Sequence, residues 1–336
     1  MTHSRSVLFM GPGHRSIQRG LTLVEMMVAM VIGLVLVVAM SAMFVNSSNS
    51  RREVELSSDV IESGRYGIDV LSRELSQTGF YGLLATPTGA TSNVGNLCSN
   101  SVPLWGDSLP SHLVGIQGGD VSPACLARKA GTDAVFIQRA STCVAGSAGC
   151  GAEDPALAYL QVSECGEEYN TAGKQFVLKK GNDAAFVLKT KACAAAVAER
   201  RQVVRRIYYV SPADVLSYIE FRPDADPITV AIVENIEQMQ ISYGFDTKPG
   251  DGSGTADCYA PAPDFCGLPA DAWSEAVGVR IFLLARSSSA SNNTGNAATF
   301  TLDDTVINIA AANRNMKRRV YSVFISFITP KARREF

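Results

Sequence analysis

The sequence predicts an α+β protein, with one long N-terminal α-helix packed on a large antiparallel β-sheet head whose loops carry disulfides. Three observations lead there. An apolar run from Leu21 to Val45 passes directly into an amphipathic pattern, with no proline between Leu21 and Thr86. Beyond Ala134, short segments rich in β-branched and aromatic residues alternate with glycine- and serine-rich turns. All eight cysteines follow the apolar run.

The first twenty residues contain Arg5, Arg15 and Arg19, two of the three histidines and no acid, which by the positive-inside tendency holds this end in the cytoplasm. From Leu21 to Val45 the clear polar interruptions are Thr22, Glu25 and Ser41. A helix of about 20 apolar residues covers the roughly 30 Å hydrocarbon core, so the run can span a membrane once and place the rest of the chain on its far side. No small-residue cleavage pattern follows Val45, where Asn46, Ser47, Ser48 and Asn49 lead into charged helix. The small residue, Gly20, stands before the run. Glu25 is the anomaly, since a charge at mid-bilayer costs roughly 2.5–3.5 kcal/mol and is kept where it is shallow, paired or functional.

Arg19-Gly20 followed by Leu-Thr-Leu-Val-Glu-Met-Met resembles the processing site of type IV prepilins. The resemblance implies that a prepilin peptidase cuts between Gly20 and Leu21 and methylates the new Leu21 amine. It also makes Glu25 the fifth mature residue, which pairs with the terminal amine of a neighbouring subunit during filament assembly. Residues i and i+4 share a helix face, so the Leu21 amine and the Glu25 carboxylate are within mutual reach, and the acid faces the positive end of the helix dipole. The alternative is an ordinary single-pass anchor with a first-turn glutamate. Met10 offers a second start that would shorten the basic leader.

After the anchor, Leu56, Val60, Ile61, Ile68, Leu71 and Leu75 recur at three- and four-residue steps among charged residues. This predicts that the helix continues to about Thr78, with Gly79 as its stop. Gly64 and Gly67 inside it cost roughly 1 kcal/mol each against alanine and imply close approach by the head. Strands are expected over Ala134–Arg139, Phe176–Lys180, Ala185–Leu188, Val203–Val210, Ile236–Tyr243, Val277–Ala285 and Val320–Ile328. The organisation is then a cleaved leader (1–20), a transmembrane or filament-core helix (21–45), its amphipathic continuation (46–82) and a globular head (83–336).

The blocks Gly64–Gly82, Val233–Thr247, Val277–Ser287 and Arg318–Phe327 resemble, in order and spacing, a PilW-type minor pilin of the type IV pilus. The resemblance implies a pilin-like fold and a part in pilus assembly, in the priming or tip complex. It implies as partners other minor pilins, the major pilin and the inner-membrane assembly platform, with a final location in the pilus. A J-type minor pseudopilin of a type II secretion system shares the same plan, and a tip adhesin is a third reading. The helix-bending proline common in major pilins is absent.

The net charge is −2, and loss of the three-arginine leader takes it to −5, which argues against a nucleic-acid partner. Lys317-Arg318-Arg319 and Arg333-Arg334 read as solvated strand ends. Cys98, Cys125, Cys143, Cys150, Cys165, Cys193, Cys258 and Cys266 form an even set in a translocated region, which reads as disulfides. Spacing favours Cys143 with Cys150 and Cys258 with Cys266, and leaves the others open. No catalytic motif is present and the mature chain keeps only His112, so no enzyme is expected. No cofactor is expected either; Asp246, Asp251 and Asp257 are weak calcium candidates in one glycine-rich loop, where a solvated turn is the plainer reading.

If Gly20 marks the cut, Gly20→Val leaves full-length precursor in the inner membrane, visible as a slower band on immunoblots of membrane fractions. Normal processing of that variant contradicts the assignment.

Overall fold

The computed structural model describes residues 20, 22–85, 97–107, 109, 111–248, 254–292 and 297–328. It divides into two compact units, Met1–Arg52 and Glu53–Phe336. Helix α1, Leu23–Ser76, contributes to both. In the first unit every described residue is exposed, and the best 18-residue window has a mean hydropathy of 2.8. By length and composition this is a helix able to cross a membrane.

In the second unit α1 buries one face. Leu56, Val60, Gly64, Gly67, Leu71 and Leu75 are buried at steps of three and four, the repeat that keeps one stripe of a 3.6-residue helix against a partner. The two glycines are where the sheets come closest. A Cβ at Gly64 would stand 2.1 Å from Cε2 of Tyr321, whose hydroxyl donates to the Val60 carbonyl at 3.2 Å. A Cβ at Gly67 would meet Leu283, Leu216 and Val233 at 3.1–3.5 Å. The helix ends as expected: Gly79 has φ +75° and its N–H donates to the Gln138 carbonyl.

The head then runs through α2 (Val102–Asp107), β1 (Leu113–Ile116), β2 (Ala134–Val144), β3 (Ala158–Val162), the short α3 (Gly166–Tyr169) and β4 (Phe176–Lys180). It continues through β5 (Arg200–Val210), β6 (Val215–Glu220), β7 (Ile228–Glu234), β8 (Ile236–Phe245) and β9 (Cys258–Ala260). The last strands are β10 (Ala276–Arg286), β11 (Thr299–Leu302), β12 (Thr305–Asn308) and β13 (Arg318–Ser326). One sheet has the order β1-β2-β5-β3-β4, with β6 on β5 and β7 on β6; a second has the order β13-β10-β8-β9. The hairpin β11-β12 covers part of the second sheet through Leu302 and Leu284. Every strand pairing is antiparallel. The chain changes sheets at Asn235, a single residue at φ +64° between β7 and β8, a conformation asparagine tolerates better than most side chains.

Four disulfides close the loops: Cys98–Cys125, Cys143–Cys150, Cys165–Cys193 and Cys258–Cys266. The two short-spaced pairs favoured by the sequence are among them.

One expected strand is absent. Ala185–Leu188 alternates because Phe186 and Leu188 turn inward, but its backbone is satisfied by local turns and by the Gln161 side chain, which accepts from the Leu188 N–H at 3.1 Å. Several strands went unexpected. β1 and β9 are too short for a periodic signal, and β7 is a margin with little burial.

Gly64→Ala is expected to destabilise the head by about 1–3 kcal/mol, because the new methyl overlaps the Tyr321 ring and forces it to shift. Thermal melts of Gly64→Ala, Tyr321→Ser and the double variant check it: the double should recover much of the loss, and strictly additive effects contradict the contact.

Candidate functional site

The first turn of α1 holds the one acid of the apolar run. Thr22 precedes the helix and Glu25 is its third residue. The Thr22 N–H and hydroxyl donate to Glu25 Oε2 at 2.9 and 3.0 Å, and Thr22 Oγ1 accepts from the Glu25 N–H at 3.2 Å. This is a reciprocal capping box, which satisfies amides a helix start leaves open. The Thr-x-x-Glu pattern is a sequence signature of such a box. In the uncleaved chain residue 21 carries a peptide nitrogen, and Leu21 itself lies outside the described residues, as does all of the leader before Gly20. Glu25 Oε1 takes no part in the box.

A second polar cluster fixes α1 at the start of the second unit. The Glu53 carboxylate accepts from Ser291 Oγ at 2.8 Å, from the Asn292 N–H at 2.9 Å and pairs with Lys317 Nζ at 2.9 Å. Lys317 also donates to the Glu53 carbonyl and Ser57 Oγ. The Lys317 contact, the serine and the amide together pull the Glu53 carboxyl down to about 2. The neighbouring Arg318 is paired with Glu237 at 2.5 Å, with its side chain 1% exposed. The expectation of solvated strand ends is therefore wrong for Lys317 and Arg318 and holds for Arg319, which is exposed. The acids that claim the first two lie far away in sequence, so a local reading could not find them. Arg333 and Arg334 fall outside the described residues.

Near its end α1 contributes Glu74, which pairs with Arg139 at 3.0 Å and Arg206 at 3.1 Å; Arg206 also meets Glu220 at 2.7 Å. These join the helix to β2, β5 and β6. Between the two sheets, Asp133 accepts from the Gly118 and Ile241 N–H groups, each at 2.7 Å, and burial pushes its carboxyl up to about 6. It lines a cavity of about 440 Å3 with Gln117, Gln240 and Asp303.

Two of the three calcium candidates, Asp246 and Asp257, are described. Asp246 Oδ1 accepts from the Lys248 N–H at 3.0 Å, and Asp257 Oδ2 accepts from the Thr247 N–H and hydroxyl, each at 3.2 Å. Asp251 lies outside the described residues. Among the described residues no group of three or more His, Cys, Asp or Glu side chains could hold a metal. Both aspartates serve their own turn.

Two family models match the chain. One, described as Type IV Pilus-assembly protein W, covers residues 207–328. The other, the prokaryotic N-terminal methylation motif, covers residues 15–41. Among solved structures, a type IV-like pilin from Thermus thermophilus is similar at 12% identity, over 80% of this chain and 97% of that one, with a TM-score of 0.33. No curated protein matches the sequence significantly.

The Glu53 cluster has a pH signature. Its carboxyl lies below the ordinary value of 4.5, so the stability it contributes is present above that value and is lost as pH falls towards about 2. Wild type should melt above Glu53→Gln at pH 6, with the gap closing between pH 4.5 and 2; a gap unchanged by acid contradicts the cluster.

Proposed function

We propose that this chain, a type IV pilin of the PilW family through its methylation motif and its C-terminal region, is a minor pilin of the priming or tip complex of a type IV pilus. In this reading it is made as an inner-membrane precursor with its head in the periplasm. Prepilin peptidase cuts it after Gly20, Leu21 becomes the methylated N-terminus, and the chain waits in the membrane before incorporation beside other minor pilins and the major pilin. Its work is assembly, without turnover.

The observation that carries the reading is the contrast along α1. From Thr22 to Arg52 the described residues find no cover within the chain, whereas from Leu56 one face is buried under two sheets. Such a length of exposed apolar helix needs lipid or other helices, which a membrane and then a filament core supply in turn. Gly20 supports the assignment of the cut. A Cβ there meets no atom among the described residues, so their packing does not call for glycine. A bulky head over residues 83–336 leaves little lateral room between subunits stacked through their helices, which favours an end position.

Glu25 is the residue that tests the reading. Once Leu21 bears an amine, that charge enters an apolar core, and removing its partner carboxylate costs roughly 3–5 kcal/mol, as for other buried pairs. Glu25→Ala should insert, should be processed at Gly20, and should fail to support piliation. Thr22→Ala disturbs the same cap but keeps the carboxylate, and should retain pili. Normal pilus numbers with processed Glu25→Ala, counted by electron microscopy, overturn the proposal; equal loss in both variants reduces Glu25 to a capping residue.

A further inference from the structure

Strand β13 closes one side of the second sheet and is bonded to β10 alone among the described residues. The two strands pair over nine residues, from Gly278 with Ser326 to Arg286 with Arg318, without a register shift. Just beyond them the Phe327 N–H donates to the Val277 carbonyl and the Ser287 N–H to the Lys317 carbonyl. Odd-numbered residues therefore face β10, and by the alternation of an antiparallel ladder the N–H and C=O groups of Val320, Ser322, Phe324 and Ser326 point the other way. Ser322, Phe324 and Ser326 are exposed, Phe324 by 51%.

Soluble proteins blunt such an edge with proline, lysine, a bulge, an inward charge or very short length. Val320–Ser326 has none of these, and at roughly 3.4 Å per residue it offers about 20 Å of edge with no strand partner among the described residues. The other margin of this sheet is blunted: β9 has three residues and begins at the Cys258–Cys266 bridge. On the larger sheet, the β6-β7 pairing is bulged at Leu216 and Ser217. Among the described residues β13 is the longest margin strand, and its pairing carries no bulge.

We infer that the edge of β13 accepts an extended strand from the head of a different pilin subunit, which extends the four-stranded sheet by one; this rests on the reading of the chain as a pilin. The surroundings define that strand. On the outer face it would lie beside Phe324, which meets Tyr259 edge-on at 6.0 Å, while Arg280 lies over Tyr259 at 4.9 Å. The strand therefore brings apolar side chains at alternate positions. β13 contains two arginines and no acid; Arg318 is engaged by Glu237, and Arg319 is exposed. The incoming strand carries a carboxylate opposite Arg319. A second copy of β13 would bring no carboxylate, so a different chain fits better. Strand addition supplies affinity through the main chain and specificity through the alternate side chains.

Hydrogen exchange of the full-length chain tests this, comparing the detergent-solubilised protein alone with the complex extracted after co-expression with the other minor pilins of its system. In peptides covering Val320–Ser326 the outward amides of Ser322, Phe324 and Ser326 should exchange fast alone and at least tenfold slower in the complex. Fast exchange in both states overturns the inference, and protection in the purified chain alone, with a doubled mass, replaces the proposed occupant by a second copy. Ser322→Pro removes one outward donor and leaves the β10 ladder intact, as proline can at a sheet edge. Ser326→Lys, a second variant, alters no backbone group and decides the matter if the proline variant melts early. Both should abolish the slow exchange and reduce piliation at least tenfold, with wild-type melting. Piliation unaffected by deleting the whole chain removes the pilin reading itself; loss on deletion with normal pili in both edge variants removes the strand-addition inference alone.

Discussion

One helix face organises the head. The stripe from Leu56 to Leu75 is the surface on which both sheets close, and the approach is tight enough that two of its six buried positions are glycine. Each glycine sacrifices helix propensity, roughly 1 kcal/mol against alanine, for a backbone that Tyr321 and Leu283 can touch. Because Tyr321 comes from the last strand and Leu216 from the sixth, the stripe joins segments far apart in sequence. Ion pairs at either end hold the same surface: Glu53 with Lys317, and Glu74 with Arg139 and Arg206.

The loops around this core are long and polar, and each of the four disulfides restrains one of them. Bridges of this kind typically contribute 2–4 kcal/mol by limiting the unfolded chain. Cys165–Cys193 holds the irregular segment around Phe186 and Leu188 against β3, where hydrogen bonds from Gln161 replace a ladder. A head stabilised in this way suits an oxidising compartment.

Sequence was most informative where periodicity is long. The helix was expected from Leu21 to about Thr78 and is found from Leu23 to Ser76; the long strands β2, β5, β8, β10 and β13 were placed within a few residues of their observed ends. The short β1 and β9 and the thinly buried β7 left no such signal, although the short margin β4 did, and Ala185–Leu188 imitated a strand because two of its residues are inward-facing. At the N-terminal site, the residue types and spacing around Gly20 and Glu25 were legible because that chemistry is local. Thr22 was legible too, as half of a capping box, yet it was overlooked in favour of the charge. The partners of Lys317 and Arg318 were not legible, since Glu53 and Glu237 reach them only in the folded chain.

The exposed apolar helix and the packed head make different demands, and in the proposed reading lipid or neighbouring helices meet the first. The Thr22–Glu25 cap serves the helix while the chain is uncleaved; cutting after Gly20 would create a charge beside it that the same carboxylate can meet. The most direct test is mass spectrometry of pili sheared from cells and purified away from membranes. The account predicts a head-bearing chain whose first peptide begins with N-methylated Leu21 and whose eight cysteines are oxidised in four bridges. Recovery of the chain only as full-length precursor in membranes, or with an N-terminus after Val45, would contradict it.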